Sequence, residues 1–220
     1  GLCNQLYVIG ADGTHARRLT HDGACYRDPS WSPGGQQIVF AKEGALGKES
    51  IWTMKLDGSG LRQLTDDGDN PAWSPDGRTI AFERGVIVRA IWLMDASGAN
   101  QRLLTTPVQR LSHSEQDFQP DWSPDGTRIA FMRMHDDNRT KTYVSDVFTV
   151  RKDGAGLRVL TRPHTRGSMP SWSPDGTRIV FLGGDPARES ATGLYVMKPD
   201  GSGQARLTKG DSDWPDWRVR

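Results

Sequence analysis

Apolar residues lie along the chain in short β-rich runs separated by turn residues. Thr79-Ile80-Ala81-Phe82 is followed by Ile91-Trp92-Leu93-Met94 and then by Arg102-Leu103-Leu104-Thr105. The runs recur with fixed punctuation. Trp73-Ser74-Pro75-Asp76-Gly77 returns as Trp122-Ser123-Pro124-Asp125-Gly126 and as Trp172-Ser173-Pro174-Asp175-Gly176. Trp31-Ser32-Pro33-Gly34-Gly35 is a near copy, and Pro215-Asp216-Trp217 opens a fifth. Each Trp stands two residues after a proline: Pro29, Pro71, Pro120, Pro170 and Pro215. A period of 42 to 50 residues is the mark of a repeat architecture.

Two intervals inside the repeat are constant. From Trp to the following Phe is 9 residues in all four full copies, ending at Phe40, Phe82, Phe131 and Phe181. From an apolar anchor (Ile9, Met54, Met94, Val150, Met197) to the Thr of a Leu-Thr pair is 11 residues in all five copies. The intervals between these segments drift. Ser-Pro-Asp-Gly suits a type I turn, because proline presets φ at its second position and glycine tolerates the exit. Asp57-Gly58-Ser59-Gly60, Asp153-Gly154-Ala155-Gly156 and Asp200-Gly201-Ser202-Gly203 form a second family of turns.

Each repeat is thus expected to supply four strands: A (Pro-x-Trp), B (to Phe), C (to the anchor) and D (to Leu-Thr). Hairpin-joined, they make one four-stranded antiparallel blade, and blades stacked radially make an all-β propeller. Residues 1–20 supply strands C and D only, complete units span about 28–65, 70–105, 119–161 and 169–208, and residues 213–217 supply a last strand A. The expectation is one domain, 1–220, of five blades. The ring would be closed by the N-terminal strands C–D and the C-terminal strand A, since closure removes sheet edges. The closing blade lacks a strand B. An earlier natural start is the favoured account; a strand from a partner and a short blade are the alternatives. The A–B and C–D turns share one face. The B–C and D–A loops, where length varies, share the other and are the place for a site.

Charge changes this picture little. The 28 basic and 27 acidic residues nearly balance, and Lys and Arg are scattered, which argues against nucleic acid as a partner. No apolar run approaches the ~20 residues needed to insert in a bilayer. Five of the eight Trp occupy the repeat position and are read as packing between blades. Cys3 and Cys25 fall on one face of adjacent blades, so a disulfide and an oxidising compartment are open to them, as are two free thiols.

Candidate chemistry lies on the variable face. The residues just before each strand-A proline, Asp28, Asn70, Gln119, Met169 and Trp214, are placed at the mouth of the central channel, where Asn and Gln can pair with peptide amides and Met and Trp give apolar contact. The structural alternative is that they satisfy loop backbones and plug the channel. Four histidines, His21, His113, His135 and His164, map to this face without paired spacing. Acidic loop pairs such as Asp67/Asp69 and Asp211/Asp213 could hold a divalent cation such as calcium, but they lack a regular ligand ladder. The expected cofactor is none. Insertions at 106–119 and 132–146 are read either as solvated loops or as one wall of a cleft. No Gly-x-Ser-x-Gly elbow marks a hydrolase. Asn138-Arg139-Thr140 is a glycosylation sequon.

The repeat Pro-x-Trp-Ser-Pro-Asp-Gly-x-x-Ile-Ala-Phe, Ile-Trp-x-Met, Asp-Gly-Ser-Gly and Arg-x-Leu-Thr resembles that of TolB-type β-propellers over nearly the whole chain, and more loosely the propellers of prolyl-oligopeptidase-like peptidases. The resemblance implies a propeller whose funnel and loops bind a peptide or protein partner in the periplasm or outside the cell. TolB itself carries a further N-terminal domain and six blades, neither of which is visible here. Some TolB-like propellers act as pectin-fragment lyases with a His-ligated metal. The expectation is a non-catalytic binding module. The alternatives are a metal-dependent lyase for acidic oligosaccharides, or a sensor or accessory segment of a larger protein.

Overall fold

The computed structural model describes residues 3–44, 47–110, 113–137, 142–161, 166–185, 188–210 and 215–217. No α-helix occurs among them. The chain divides into two compact units, 1–85 with 92–102, and 86–91 with 103–220.

The strands follow the repeat. β1 (Tyr7–Val8) and β2 (Arg17–Arg18) form a two-stranded sheet. β3 (Tyr26–Trp31), β4 (Gln37–Glu43), β5 (Glu49–Lys55) and β6 (Arg62–Thr65) form a meander, as do β7 (Asp69–Trp73), β8 (Thr79–Arg84), β9 (Ala90–Asp95) and β10 (Arg102–Leu103). The next sheet has five strands: β11 (Gln109–Arg110), β12 (His113–Trp122), β13 (Arg128–Asp137), β14 (Thr142–Arg151) and β15 (Arg158–Val159). β16 (Arg166–Trp172), β17 (Ile179–Asp185), β18 (Arg188–Met197) and β19 (Ala205–Arg206) complete the set. The strands pair antiparallel, from Tyr7 opposite Arg18 to Tyr195 opposite Arg206.

Strand B is the core of each full sheet. Ile38-Val39-Phe40, Ile80-Ala81-Phe82, Ile129-Ala130-Phe131 and Ile179-Val180-Phe181 are buried without alternation, because both faces of the strand are covered. Each fully buried Phe contributes about 1.5–3 kcal/mol. In the first unit Val39, Ile51 and Leu64 of one sheet pack on Ile80, Phe82 and Met94 of the next, with Trp73 against them. In the second, Ala130, Val147 and Leu160 pack on Trp172, Ile179, Phe181 and Met197.

The signature residues have local work to do. In the Ser-Pro-Asp-Gly turns the Gly N–H donates to the Ser carbonyl at 2.8–2.9 Å, and the Ser hydroxyl donates to the Asp carboxylate at 2.6 Å. The Thr of Leu-Thr accepts from a strand-C N–H: Thr20 from Leu6, Thr105 from Ile91, Thr161 from Val147 and Thr208 from Leu194, at 2.9–3.1 Å. The second turn family packs on the preceding sheet. Gly98 (φ 87°) comes so close to Leu64 that a Cβ would stand 2.7 Å from its carbonyl oxygen, and Gly201 (φ 81°) meets Leu160 the same way at 2.6 Å. A left-handed backbone and contact with a neighbouring main chain both require glycine there.

Two expectations are corrected. Apart from Thr106 to Val108, the described parts of the insertions before and within the third unit are strand and not loop. They lengthen β12, β13 and β14 to 10 residues each and add β11 to the sheet. Met132 to Asp137 pairs residue by residue with Thr142 to Val147, so the ladder simply continues outward and satisfies its own backbone. The repeat tryptophans also differ among themselves. Trp122 and Trp172 are buried, whereas Trp31 is 51% exposed.

Candidate functional site

Every described strand A breaks its ladder at the same place. Register shifts fall between Arg27 and Ser30, Asp69 and Ala72, Phe118 and Asp121, and Ser168 and Ser171. Proline has no N–H to donate, so pairing fails at Pro29, Pro71, Pro120 and Pro170 and a bulge forms. The residue before each proline takes a left-handed conformation: Asp28 (φ 51°), Asn70 (44°), Gln119 (55°) and Met169 (51°). Asp and Asn tolerate this region; Gln and Met do so less readily. Strain of order 1–3 kcal/mol per residue is kept where the surroundings impose it, and such residues cluster at functional sites.

In the first unit, Asp28 faces Asp69. Burial, then the charge and hydrogen bond of Asp69, push Asp28 up to about 6, against the pull of Arg27. Asp69 is buried and its Oδ1 accepts the Asn70 N–H at 2.9 Å. Arg27 binds Glu49 at 2.9 Å and Glu43 at 2.8 Å. The two aspartates therefore hold a proton between them in mild acid and become more anionic as it leaves.

In the second unit, Gln119 Oε1 accepts the Met169 N–H at 3.1 Å, so two of the pre-proline residues are joined directly. Asp121 Oδ2 accepts the Trp172 N–H at 2.7 Å. Burial pushes Asp121 up to about 7; the Trp172 N–H pulls it down and the Asp216 charge adds to the rise. Ser30 does the same for Trp73 in the first unit, accepting its N–H at 3.3 Å. Ser30 and Asp121, each the residue before a repeat Trp, thus tie one strand A to the next.

A second constellation occupies the lengthened sheet. Arg133 is buried and makes a two-pronged contact with Asp117 at 2.6 and 2.8 Å, with Glu115 at 3.1 Å. Burial raises Asp117 although Arg133 pulls it down. His135 Nε2 lies 3.1 Å from Asp146, whose other oxygen accepts the Thr161 hydroxyl at 2.5 Å. The hydrogen bond to Asp146 raises His135 above its ordinary value, opposed by burial.

Sequence reasoning missed a regular feature here. Two residues after the repeat Phe stand Lys42, Arg84 and Arg133, each over a strand-C aromatic: Trp52 at 5.2 Å, Trp92 at 5.1 Å and Phe148 at 5.1 Å. Each is also held by a carboxylate, Asp22, Asp67 and Asp117 respectively, at 2.8, 3.4 and 2.6 Å. The fixed offset from Phe was the available signal. In the fourth sheet the position is Gly183, where a Cβ would meet the Tyr195 ring at 2.7 Å.

The remaining candidates are dispersed. His21 is exposed in a connecting segment, Asp67 serves Arg84, and Asp69 serves Asp28. Trp214, His164, Asn138 to Thr140, Asp211 and Asp213 lie outside the described residues, as does the His113 side chain. Among the described residues no three His, Cys, Asp or Glu side chains gather as a metal site. Cys3 and Cys25 are joined by a disulfide with Cα atoms 4.5 Å apart.

The TolB beta propeller domain family matches residues 3–115, just over half of the chain. The Tol-Pal system protein TolB 1 of Novosphingobium aromaticivorans is 40% identical over 74 residues, covering 32% of this chain and 16% of its own length. TolB of Acinetobacter baumannii superposes with a TM-score of 0.74 at 18% identity, over 95% of this chain and 50% of that one. An oligogalacturonate lyase in complex with manganese superposes at 0.68 and 16% identity, over 97% and 61%. These two likenesses concern the fold alone. The matched stretch is well under two thirds of the length of the curated relatives.

Proposed function

Because the chain belongs to the TolB beta propeller domain family, we propose that it is a non-catalytic binding module for a peptide or protein partner. The pre-proline residues Asp28, Asn70, Gln119 and Met169, with Trp214, are its contact residues. One observation carries this reading. The same non-glycine position takes a left-handed backbone in all four described strands A, with φ between 44° and 55°. Folding alone would favour glycine there, so other side chains at this position point to a use for them. The set offers amides and a carboxylate for peptide backbone and Met169 for apolar contact. Closure of five blades into one ring by β1–β2 and the C-terminal strand A belongs to the same proposal. So does a periplasmic location, which the Cys3–Cys25 bridge and the likeness to Tol-Pal proteins support.

The test is selection of a displayed peptide library on the purified chain. Enriched peptides should bind about tenfold more weakly to Asn70→Ala and Gln119→Ala, the loss of one or two hydrogen bonds each. Unchanged binding to both variants sinks the assignment. Turnover of polygalacturonate in the presence of manganese, read as unsaturated product, would instead establish the lyase alternative.

A further inference from the structure

One sheet carries a titratable pair where the others do not. Beside β1 the Thr20 hydroxyl donates to the Gln5 side-chain oxygen at 2.8 Å, an amide that stays neutral at every pH. The equivalent position, four residues before the strand-C anchor, is Ser50, Ala90 and Gly193 in three of the full sheets. The Leu-Thr cap therefore needs no charge. In the lengthened sheet the position is Asp146. Its Oδ1 accepts the Thr161 hydroxyl at 2.5 Å, and its Oδ2 faces His135 Nε2 at 3.1 Å. His135 stands four residues after the repeat Phe, where the other sheets have Gly44, Val86 and Asp185.

His135 lies on β13 directly opposite Glu115 of β12 and Val144 of β14. The charged groups facing the imidazole are Asp146 of β14 and Glu115 of β12, and the Asp136 main chain also favours the charged ring. Glu115 is bound in turn by Arg133 of the same strand as His135, and Arg133 holds Asp117. Three carboxylates, Asp117, Glu115 and Asp146, thus meet two cations while His135 is protonated and one when it is neutral. The Asp146 side chain is only 6% exposed, so water compensates it poorly. From this we infer that His135 is a proton-controlled lock on the outer hairpin, residues 132–137 of β13 with 142–147 of β14. Protonated, it ties β13 to Asp146 and, through Asp146, to Thr161 beyond β15. When the proton leaves, the poorly solvated carboxylates share one cation fewer, and the hairpin opens to hydrate them. The hydrogen bond to Asp146 raises His135 above its ordinary value, opposed by burial. The lock is therefore closed below about pH 6.5 and is lost as pH rises through the folded value. It is independent of the pre-proline reading.

The test is amide hydrogen exchange of the purified chain, read by NMR between pH 5.5 and 8 and corrected for the intrinsic rate. Protection of residues 132–137 and 142–147 should fall about tenfold over this range, the loss of the charge from one hydrogen bond. The midpoint should coincide with the titration of the His135 ring in the same sample. Two variants isolate the lock. In Asp146→Asn the amide oxygen still accepts the Thr161 hydroxyl, as Gln5 does for Thr20. In His135→Gln the side chain no longer titrates. Hairpin protection in both should lose the fall seen in the parent. Residues 129–131, in the core of the same strand, should differ little between parent and variants. A parent hairpin whose protection does not fall overturns the inference, as does a fall that persists in either variant. A difference between parent and variants spread equally over residues 129–131 overturns it too, since His135 would then act on the whole sheet and not on its outer hairpin.

Discussion

Asp121→Asn should stabilise the protein at neutral and alkaline pH. Asp121 is an acid whose folded value, about 7, lies above its unfolded value of 3.8. The folded state therefore holds the proton more tightly, and stability falls as pH rises from about 4 to 7. Above that range both states are ionised and the whole penalty is present. A rise of roughly three pKa units corresponds to about 4 kcal/mol. Relaxation around the ionised carboxylate reduces this, so about 2–4 kcal/mol is the expected gain for asparagine at pH 8. Its amide oxygen still accepts the Trp172 N–H, which lies 2.7 Å from Asp121. For a chain of this size the gain corresponds to roughly 5–10 °C in Tm. Urea melts of both proteins at pH 8, 6 and 4 should show the advantage shrinking with pH and vanishing near 4. A variant that is destabilised equally at pH 8 and pH 4 would refute the reasoning, because Asp121 would then act as a required anionic acceptor.

Three further outcomes are expected. Trp122→Ala removes a buried indole and should cost about 3–5 kcal/mol by denaturant unfolding; Trp31→Ala, half exposed, should cost markedly less. Gly98→Ala places a methyl group against the Leu64 main chain from a left-handed backbone. It should destabilise by about 1–3 kcal/mol, while Gly13→Ala, with open space around its Cβ position, carries only the backbone part. His135 gains its partner Asp146 on folding, so its raised value stabilises the protein below pH ~6.5, and this is lost as pH rises through the folded value. An NMR titration should place His135 above 6.5 and return it toward 6.5 in Asp146→Asn.

Most of the architecture was legible in the chain. Constant Trp-to-Phe and anchor-to-Thr intervals define strand pairs with short turns, because a hairpin of fixed length tolerates no insertion. The drifting intervals were legible as positions, not as structures. Met132 to Asp137 carries no signal that separates a long loop from a continued ladder, and only pairing with Thr142 to Val147 decided it. Local chemistry was likewise readable where it is local. Ser-Pro-Asp-Gly encodes its own turn, and Leu-Thr reports a hydroxyl that caps a neighbouring strand.

What only the tertiary structure decided are relations between residues far apart in sequence. The proline in strand A implies an interrupted ladder, yet the left-handed backbone of Gln119 and Met169 follows from packing, since neither residue prefers it. The proton shared between Asp28 and Asp69 and the neutral-range Asp121 arise from burial and from partners brought together across sheets, and the caged Arg133 from burial beside carboxylates of the adjoining strand. Periodicity determines which positions are equivalent, because every repeat solves the same local problem. It does not determine desolvation or the identity of a facing charge, because these depend on what the neighbouring repeat presents. Trp31 and Trp172 hold the same place in the repeat, yet the first is 51% exposed and the second is buried against Ala130, Val147 and Leu160 of the preceding sheet.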